Sequence, residues 1–244
     1  MPAVTERDMG SCEPIDVSFD FRSDTPPGRD PDKYSPTLRR YHKLLWSKPL
    51  PSGAVFELVD TTPRVYLHHR SGDREFFLAS DTVIPSFVKE RRIAHIFDDI
   101  PAEEVAAFRS AGYTIGGMTI FPGNQIDRKM TINSQRGCHP RIKDRFDLTV
   151  ECIRRYYLGE RSPLFETLDR YADFFALFGD FRGYVEFFQL QELVTVDAAA
   201  VRFFTPFNEF VSWPVPATTE GYRAYMRNAL EFIEARNERI RESV

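Results

Sequence analysis

Residues 140–157, PRIKDRFDLTVECIRRYY, decide the fold class of this 244-residue chain. Ile142, Phe146, Val150, Ile153 and Tyr157 recur at three- and four-residue steps, which places them on one face of an α-helix. After a break at Gly159–Pro163 the same period returns in Leu164, Leu168, Tyr171, Phe174, Phe175 and Phe178, and Phe181, Tyr184, Val185, Phe188 and Leu193 continue it. A last amphipathic helix is expected over about Glu220–Glu242. Its Tyr222, Tyr225, Leu230 and Ile233 face inward, with Glu231, Glu234, Arg236, Glu238 and Arg239 in water.

Upstream of Pro140 the dominant period is two. Ile15, Val17, Phe19 and Phe21 alternate with polar residues, as in a half-buried strand. Ala54–Leu58, Arg64–His69 and Glu75–Ala79 are β-type runs separated by turn residues at Asp60–Pro63 and Ser71–Asp73, which reads as an antiparallel meander. Tyr113–Phe121 is a further strand, in which Gly116-Gly117 marks a bulge or a close backbone approach. Two helices interrupt the strands: Pro36 to about Trp46, capped by Ser35, and Ala102–Ala111, ended by Gly112. The expected architecture is α+β, a strand-rich N-terminal half packed on a helix-rich C-terminal half. A loose tail over residues 1–14 and a single domain over 15–244 complete it, since no Pro-, Gly- or Ser-rich linker divides the chain.

Composition excludes whole classes. Hydrophobic residues make up 42% of the chain and Phe alone contributes 22, enough to close a large core, so the chain is not disordered. Three scattered cysteines form neither a disulfide framework nor a cysteine zinc site. No secretory signal and no run of apolar residues long enough for a membrane span is read, so a cytoplasmic protein is expected. Dinucleotide fingerprint, P-loop, HExxH and GxSxG motifs are all missing, the five histidines never pair at metal-ligand spacing, and no cofactor is named.

Charge placement is more informative. Residues 22–48 and 124–161 each sum to +4 in a chain of −4, leaving −12 for the rest. If the two segments meet, they build an anion site; the alternative is solvated helix faces with local ion pairs. On the helix after Ser35, Arg39, His42, Lys43 and Trp46 share a face, with the cations suited to phosphate and the indole to stacking on a base. The alternative there is a core Trp46 and a satisfied His42. In Thr131–Gly137 the row Thr131, Asn133 and Gln135 ends at Arg136, and a strand there suits recognition of a small polar ligand.

Three long strings carry a family resemblance: FDFRSDTPPGRDPDKYSPTLRRYHKLLWSKPLPSG near the start, MTINSQRG with IKDRFDLTVECIRRYY in the middle, and LDRYADFFALFGDFRGYVEFFQLQELV after them. Together they resemble a bacterial and phage family known only as a domain of unknown function, over about Phe19–Arg239. The resemblance implies a single domain and a bacterial setting, and brings no activity.

The functional expectation is therefore an enzyme or toxin-like effector, a transferase or hydrolase acting on a nucleotide or another phosphate-bearing ligand such as single-stranded nucleic acid. Arg22, Arg39, Lys43, Trp46, Asn133 and Arg136 would bind, and His42, Asp147 or Glu192 would move protons. On this reading Arg39→Ala and Arg136→Ala lose ligand and keep the fold. The competing expectation is a non-catalytic interaction protein or homo-oligomer that presents its Phe-rich C-terminal half, from Phe174–Phe188 to Phe203, Phe204, Phe207 and Phe210, to a partner.

Overall fold

The computed structural model of the protein describes residues 14–60, 67–71, 74–85, 87 and 90–243. The first helix among the described residues is the short α1 (Pro31–Tyr34), whose Asp30 cap accepts from the Asp32 N–H, followed by α2 (Pro36–Trp46). The Ser35 hydroxyl accepts from the Leu38 N–H at 3.0 Å and Pro36 occupies the first helical position, so the α2 start is the one its sequence encodes.

Strands β1 (Lys48–Pro49) and β2 (Val55–Phe56) form a small hairpin. The main sheet has the order β3-β4-β5-β6 and is antiparallel throughout, built from β3 (Val59–Asp60), β4 (Leu67–Ser71), β5 (Arg74–Thr82) and β6 (Met118–Pro122). Leu78 lies opposite Leu67 on one side and Pro122 on the other, which sets the register of the central strand. The expected turns at 60–63 and 71–73, and the start of the strand expected from Arg64, fall partly or wholly outside the described residues, as does the tail up to Glu13. Between β5 and β6 come a 3₁₀ helix (Arg91–Asp99) and α3 (Ala102–Gly112).

The helical half comprises α4 (Ile132–Cys138), α5 (Phe146–Tyr157), α6 (Phe165–Asp169), α7 (Ala172–Ala176), α8 (Phe181–Phe187) and α9 (Thr219–Ser243). Strands before Gly137 and helices after Pro140 thus give the α+β class. The aromatic run of α7 and α8 supplies the core between them: Phe174 meets Phe76 of β5 at 5.9 Å and Phe56 of β2 at 6.5 Å, and Phe178 meets Phe187 and Phe188 at 5.0 and 5.1 Å. Each such ring contributes roughly 1.5–3 kcal/mol by burial. The aromatic side chains of the Phe174–Phe188 stretch are interior, while Asp180, Arg182 and Glu186 between them are exposed.

Three expectations are corrected. Ile15–Phe21 is not a strand: Ile15, Val17 and Phe21 are buried in alternation, but the backbone is tied by the Asp16 N–H to the Tyr41 hydroxyl at 2.8 Å and by the Phe21 N–H to the Tyr113 carbonyl at 3.1 Å, with no strand ladder. Thr131–Gly137 is helical rather than extended, because the Thr131 hydroxyl caps the Ser134 N–H and starts α4, with Ile132 and Arg136 on its buried face. Arg236 is fully buried rather than solvated. Gly116-Gly117 proves to be the close-approach case. These glycines form a 3₁₀ turn before β6, and a Cβ at Gly116 would stand 2.5 Å from the Ile233 carbonyl oxygen of α9, one at Gly117 2.4 Å from that of Gly112. No helix among the described residues is long and apolar enough to cross a membrane.

Candidate functional site

The two basic segments do meet, and the end of β5 is where they do so. From α2, His42 Nε2 lies 3.0 Å from the Ser80 hydroxyl; from α4, the Asn133 side-chain amide donates to the Ser80 carbonyl at 3.3 Å. One residue on, Asp81 receives Arg136 Nη1 at 2.7 Å. The same guanidinium donates to the carbonyls of Thr82 at 3.3 Å and Asp144 at 2.9 Å and to the Thr149 hydroxyl at 3.2 Å, and the Asp144 carboxylate stands 3.4 Å away. Phe121 and Phe146 flank it at 5.9 and 5.8 Å. Burial works against the Arg136 charge, but Asp144 and Asp81 outweigh it and raise its pKa.

What gathers there is a carboxylate cluster rather than a positive cleft. Asp32 of α1 sits within electrostatic reach of Asp81, Asp30 and Asp144, and burial followed by those like charges pushes its carboxyl up to about 8 from an ordinary 3.8, with Arg136 opposing. Burial also raises Asp81 and Asp144, against the pull of Arg136. Three carboxyls around one guanidinium cannot all ionise at low cost in a partly dry site. Tyr113 lies beside the group, its hydroxyl raised by burial and by Asp32 and Asp30.

Access and unmet hydrogen bonding distinguish this cluster from a structural knot. The Asp81 and Asp144 side chains remain 17% and 28% exposed. Yet Asp32 Oδ1, Asn133 Oδ1 and Asp144 Oδ1 are buried oxygens with no hydrogen-bond partner, an arrangement costly enough that native structures rarely keep it without a reason. Lys143 and Asp144 both adopt positive φ, at 48° and 63°, and such strain tends to persist where surrounding structure enforces it at working sites. A cavity of about 120 Å³ is lined by Thr82, whose carbonyl accepts from Arg136, and by Arg109 and Tyr113; none of the three aspartates lines it. Among the described residues no group of three His, Cys, Asp or Glu side chains is placed to hold a metal ion.

The chain belongs to a family of unknown function. The matching family model, Family of unknown function (DUF6994), covers residues 15–240, as the sequence strings led one to expect. No curated protein and no solved structure matches the chain.

Elsewhere in this DUF6994 member the expected site residues are engaged by their own neighbours. The Trp46 indole N–H donates to His42 Nδ1 at 3.1 Å, so His42 carries its proton on Nε2 and donates it to Ser80. Burial, followed by the charge of Arg236, pushes His42 down to about 3, which removes it as an acid or base at neutral pH. Trp46 is fully buried against Phe187 and Phe188, so no base can stack on it. Lys43 pairs with Asp60, Arg39 donates to the Lys33 carbonyl at 3.2 Å, and Arg22 is bound by Asp20 and Ser110 above the Tyr113 ring. Asp147 is fully buried, held by Arg145 and the Phe204 N–H, and Glu192 pairs with Arg239. His42, Asp147 and Glu192 lie on α2, on α5 and in the 3₁₀ turn Gln191–Leu193, each held by different neighbours, whereas Asn133 and Arg136 contact Ser80 and Asp81 at the cluster.

Asp32, Asp81 and Asp144 went unread. Asp32 and Asp144 stand inside the two basic segments, where they count only as partial neutralisation, and the one local signal for Asp81 is a carboxylate near the end of β5, after the apolar Phe76–Ala79 run.

The raised Asp32 pKa has a measurable consequence. The folded state holds this proton more tightly than the unfolded chain, so the associated stability is full below about pH 4 and is lost as pH rises through about 8. Asp32→Asn should therefore flatten the fall in stability between those limits and leave the variant more stable than the parent at pH 8 by roughly 1–3 kcal/mol. Urea unfolding at pH 5 and pH 8 measures this, and equal slopes for both proteins would show that Asp32 titrates normally.

Proposed function

We propose that the chain is an enzyme that performs acid–base chemistry at the Asp32–Asp81–Asp144 cluster, a hydrolase or transferase in the cytoplasm of a bacterial-type cell. The arrangement that carries this reading is Asp81 and Asp144 on one buried arginine, with the Asp32 carboxyl beside them pushed up by burial. Asp32, on which Arg136 acts least, is then the proton donor to a leaving group, and Asp81 or Asp144, which pair with Arg136, the acceptor.

The ligand chemistry follows from what the site lacks. Oxygens of Asp32, Asn133 and Asp144 that accept no hydrogen bond call for donors such as hydroxyls and amines, and an anionic phosphate is repelled by the neighbouring carboxylates. Because Arg22, Arg39, Lys43 and Arg136, the cations expected to bind, are engaged by protein acceptors, the nucleotide reading is best supported at the sugar and base rather than at the phosphate. A nucleoside or sugar is the substrate class proposed. The oligomeric reading has less support, because the aromatics of α7 and α8 are core.

Thermal shift against adenosine, cytidine, ribose and inorganic phosphate tests the proposal. The hydroxyl- and amine-bearing compounds should raise the melting temperature of the parent, phosphate alone should not, and Asp32→Asn and Asn133→Ala should abolish the response. A substitution that stabilises the fold while removing ligand is the behaviour of a site held for function. A response to phosphate alone, or one that Asp32→Asn leaves intact, would refute it.

A further inference from the structure

A cavity of about 660 Å³ lies at the start of α5, between Arg145 and Leu148 there, the start of α9 and residues 202–218, which carry no helix or strand. Its size falls in the range of small-molecule sites. We propose that this cavity binds a flat, uncharged, ring-bearing small molecule, independently of the carboxylate cluster.

Three features carry the assignment. First, the wall is aromatic: Phe203 and Phe207 are stacked at 4.2 Å and 10°, both are only partly buried, and Trp213 lines the same cavity. A ring slipped against such a wall gains stacking beyond the area it buries. Second, the one charged side chain among the lining residues is already satisfied. Arg145, which lines the cavity, is bound by Asp147, the Thr205 hydroxyl and the Pro214 carbonyl, so its guanidinium has little attraction left for an anion. Arg92 lies over Trp213 at 5.4 Å, and the remaining polar lining is amide and hydroxyl, from Asn208, Asn228 and Thr218. An apolar body with one or two hydrogen-bonding atoms suits that lining.

Third, the wall is held in a costly conformation. Glu209 and Phe210 are consecutive non-glycine residues at φ 54° and 60°, and Arg155 of α5 clamps the turn, pairing with Glu209 and lying over Phe207 and Phe210 at 5.6 and 5.2 Å. A long irregular segment fixed in this way is the usual form of a binding loop rather than of a simple connection.

Calorimetric titration of the full chain with 2-naphthol and with indole, and with cyclohexanol as the non-planar comparison, tests the inference. The planar probes should bind saturably and cyclohexanol at least tenfold more weakly. Phe207→Ala should weaken the planar probes about tenfold or more, and Ala224→Phe, which fills the cavity without removing a wall, should block them. Val211→Ala, on a 76% exposed side chain outside the lining, should change nothing. Equal affinity for cyclohexanol, binding that survives Ala224→Phe, or a Phe207-dependent dimer by sedimentation with no probe bound would overturn the proposal. The Asp32→Asn variant should bind the planar probes normally, which separates failure here from failure of the catalytic reading.

Discussion

Arg136→Met is expected to lower stability by about 3–5 kcal/mol at pH 8, because it leaves Asp81, Asp144 and Asp32 facing one another without their shared cation. For a domain of this size that is a fall of roughly 10 °C in melting temperature. The loss should shrink at pH 5, where the freed carboxyls can take up protons, and Asp81→Asn should rescue part of it, since paired groups do not add independently. Denaturant unfolding of the single and double variants at both pH values checks this. A fully stable Arg136→Met that has merely lost a ligand would return the arginine to the anion-binding role its sequence context suggests.

Arg236→Leu is the second large effect. Its guanidinium donates to the carbonyls of Gly116 and Met118 at 3.1 and 2.7 Å and of Phe188 at 2.9 Å, lies over Trp46 at 5.7 Å, and thereby ties α9 to the start of β6 and the end of α8. Burial lowers its pKa to about 10 from 12.5, a cost of about 3 kcal/mol that the leucine would relieve. Three charge-assisted hydrogen bonds at roughly 1.5–3 kcal/mol each outweigh that gain. A net loss of about 3 kcal/mol is expected in the urea midpoint at constant slope. Arg236→Lys should recover only part, because a single ammonium cannot span three carbonyls. A leucine variant as stable as the parent would mean that relief of desolvation wins.

Helix ends were legible where local chemistry sets them: Ser35-Pro36 fixed the start of α2, Gly112 the end of α3, and the paired glycines 116 and 117 announced a backbone contact that proved to be with α9 and α3. Arg236 was legible in principle, since it continues the buried stripe of Ala229, Phe232, Ile233 and Ile240 on α9; its charge argued for water more strongly than its position argued for the core. Thr131–Gly137 misled because alternating polar residues also fit a capped helix. The cluster itself was not legible. Its members come from α1, β5 and the loop before α5, and only the fold makes neighbours of Asp32, Asp81 and Asp144. The summed positive charge of two segments likewise says nothing of how it is paired, and here each cation that was read as a ligand-binding group has a protein acceptor.

The most direct test of the central claim is a carbon-13 NMR titration of the aspartate side-chain carboxyls, with the Asp32 signal assigned by its loss in Asp32→Asn. The account predicts a carboxyl assigned to Asp32 that titrates near pH 8, and signals from Asp81 and Asp144 displaced upward from the ordinary aspartate range. If every aspartate instead titrates below about pH 5, as unperturbed carboxyls do, the cluster holds no proton at neutrality and the acid–base reading fails.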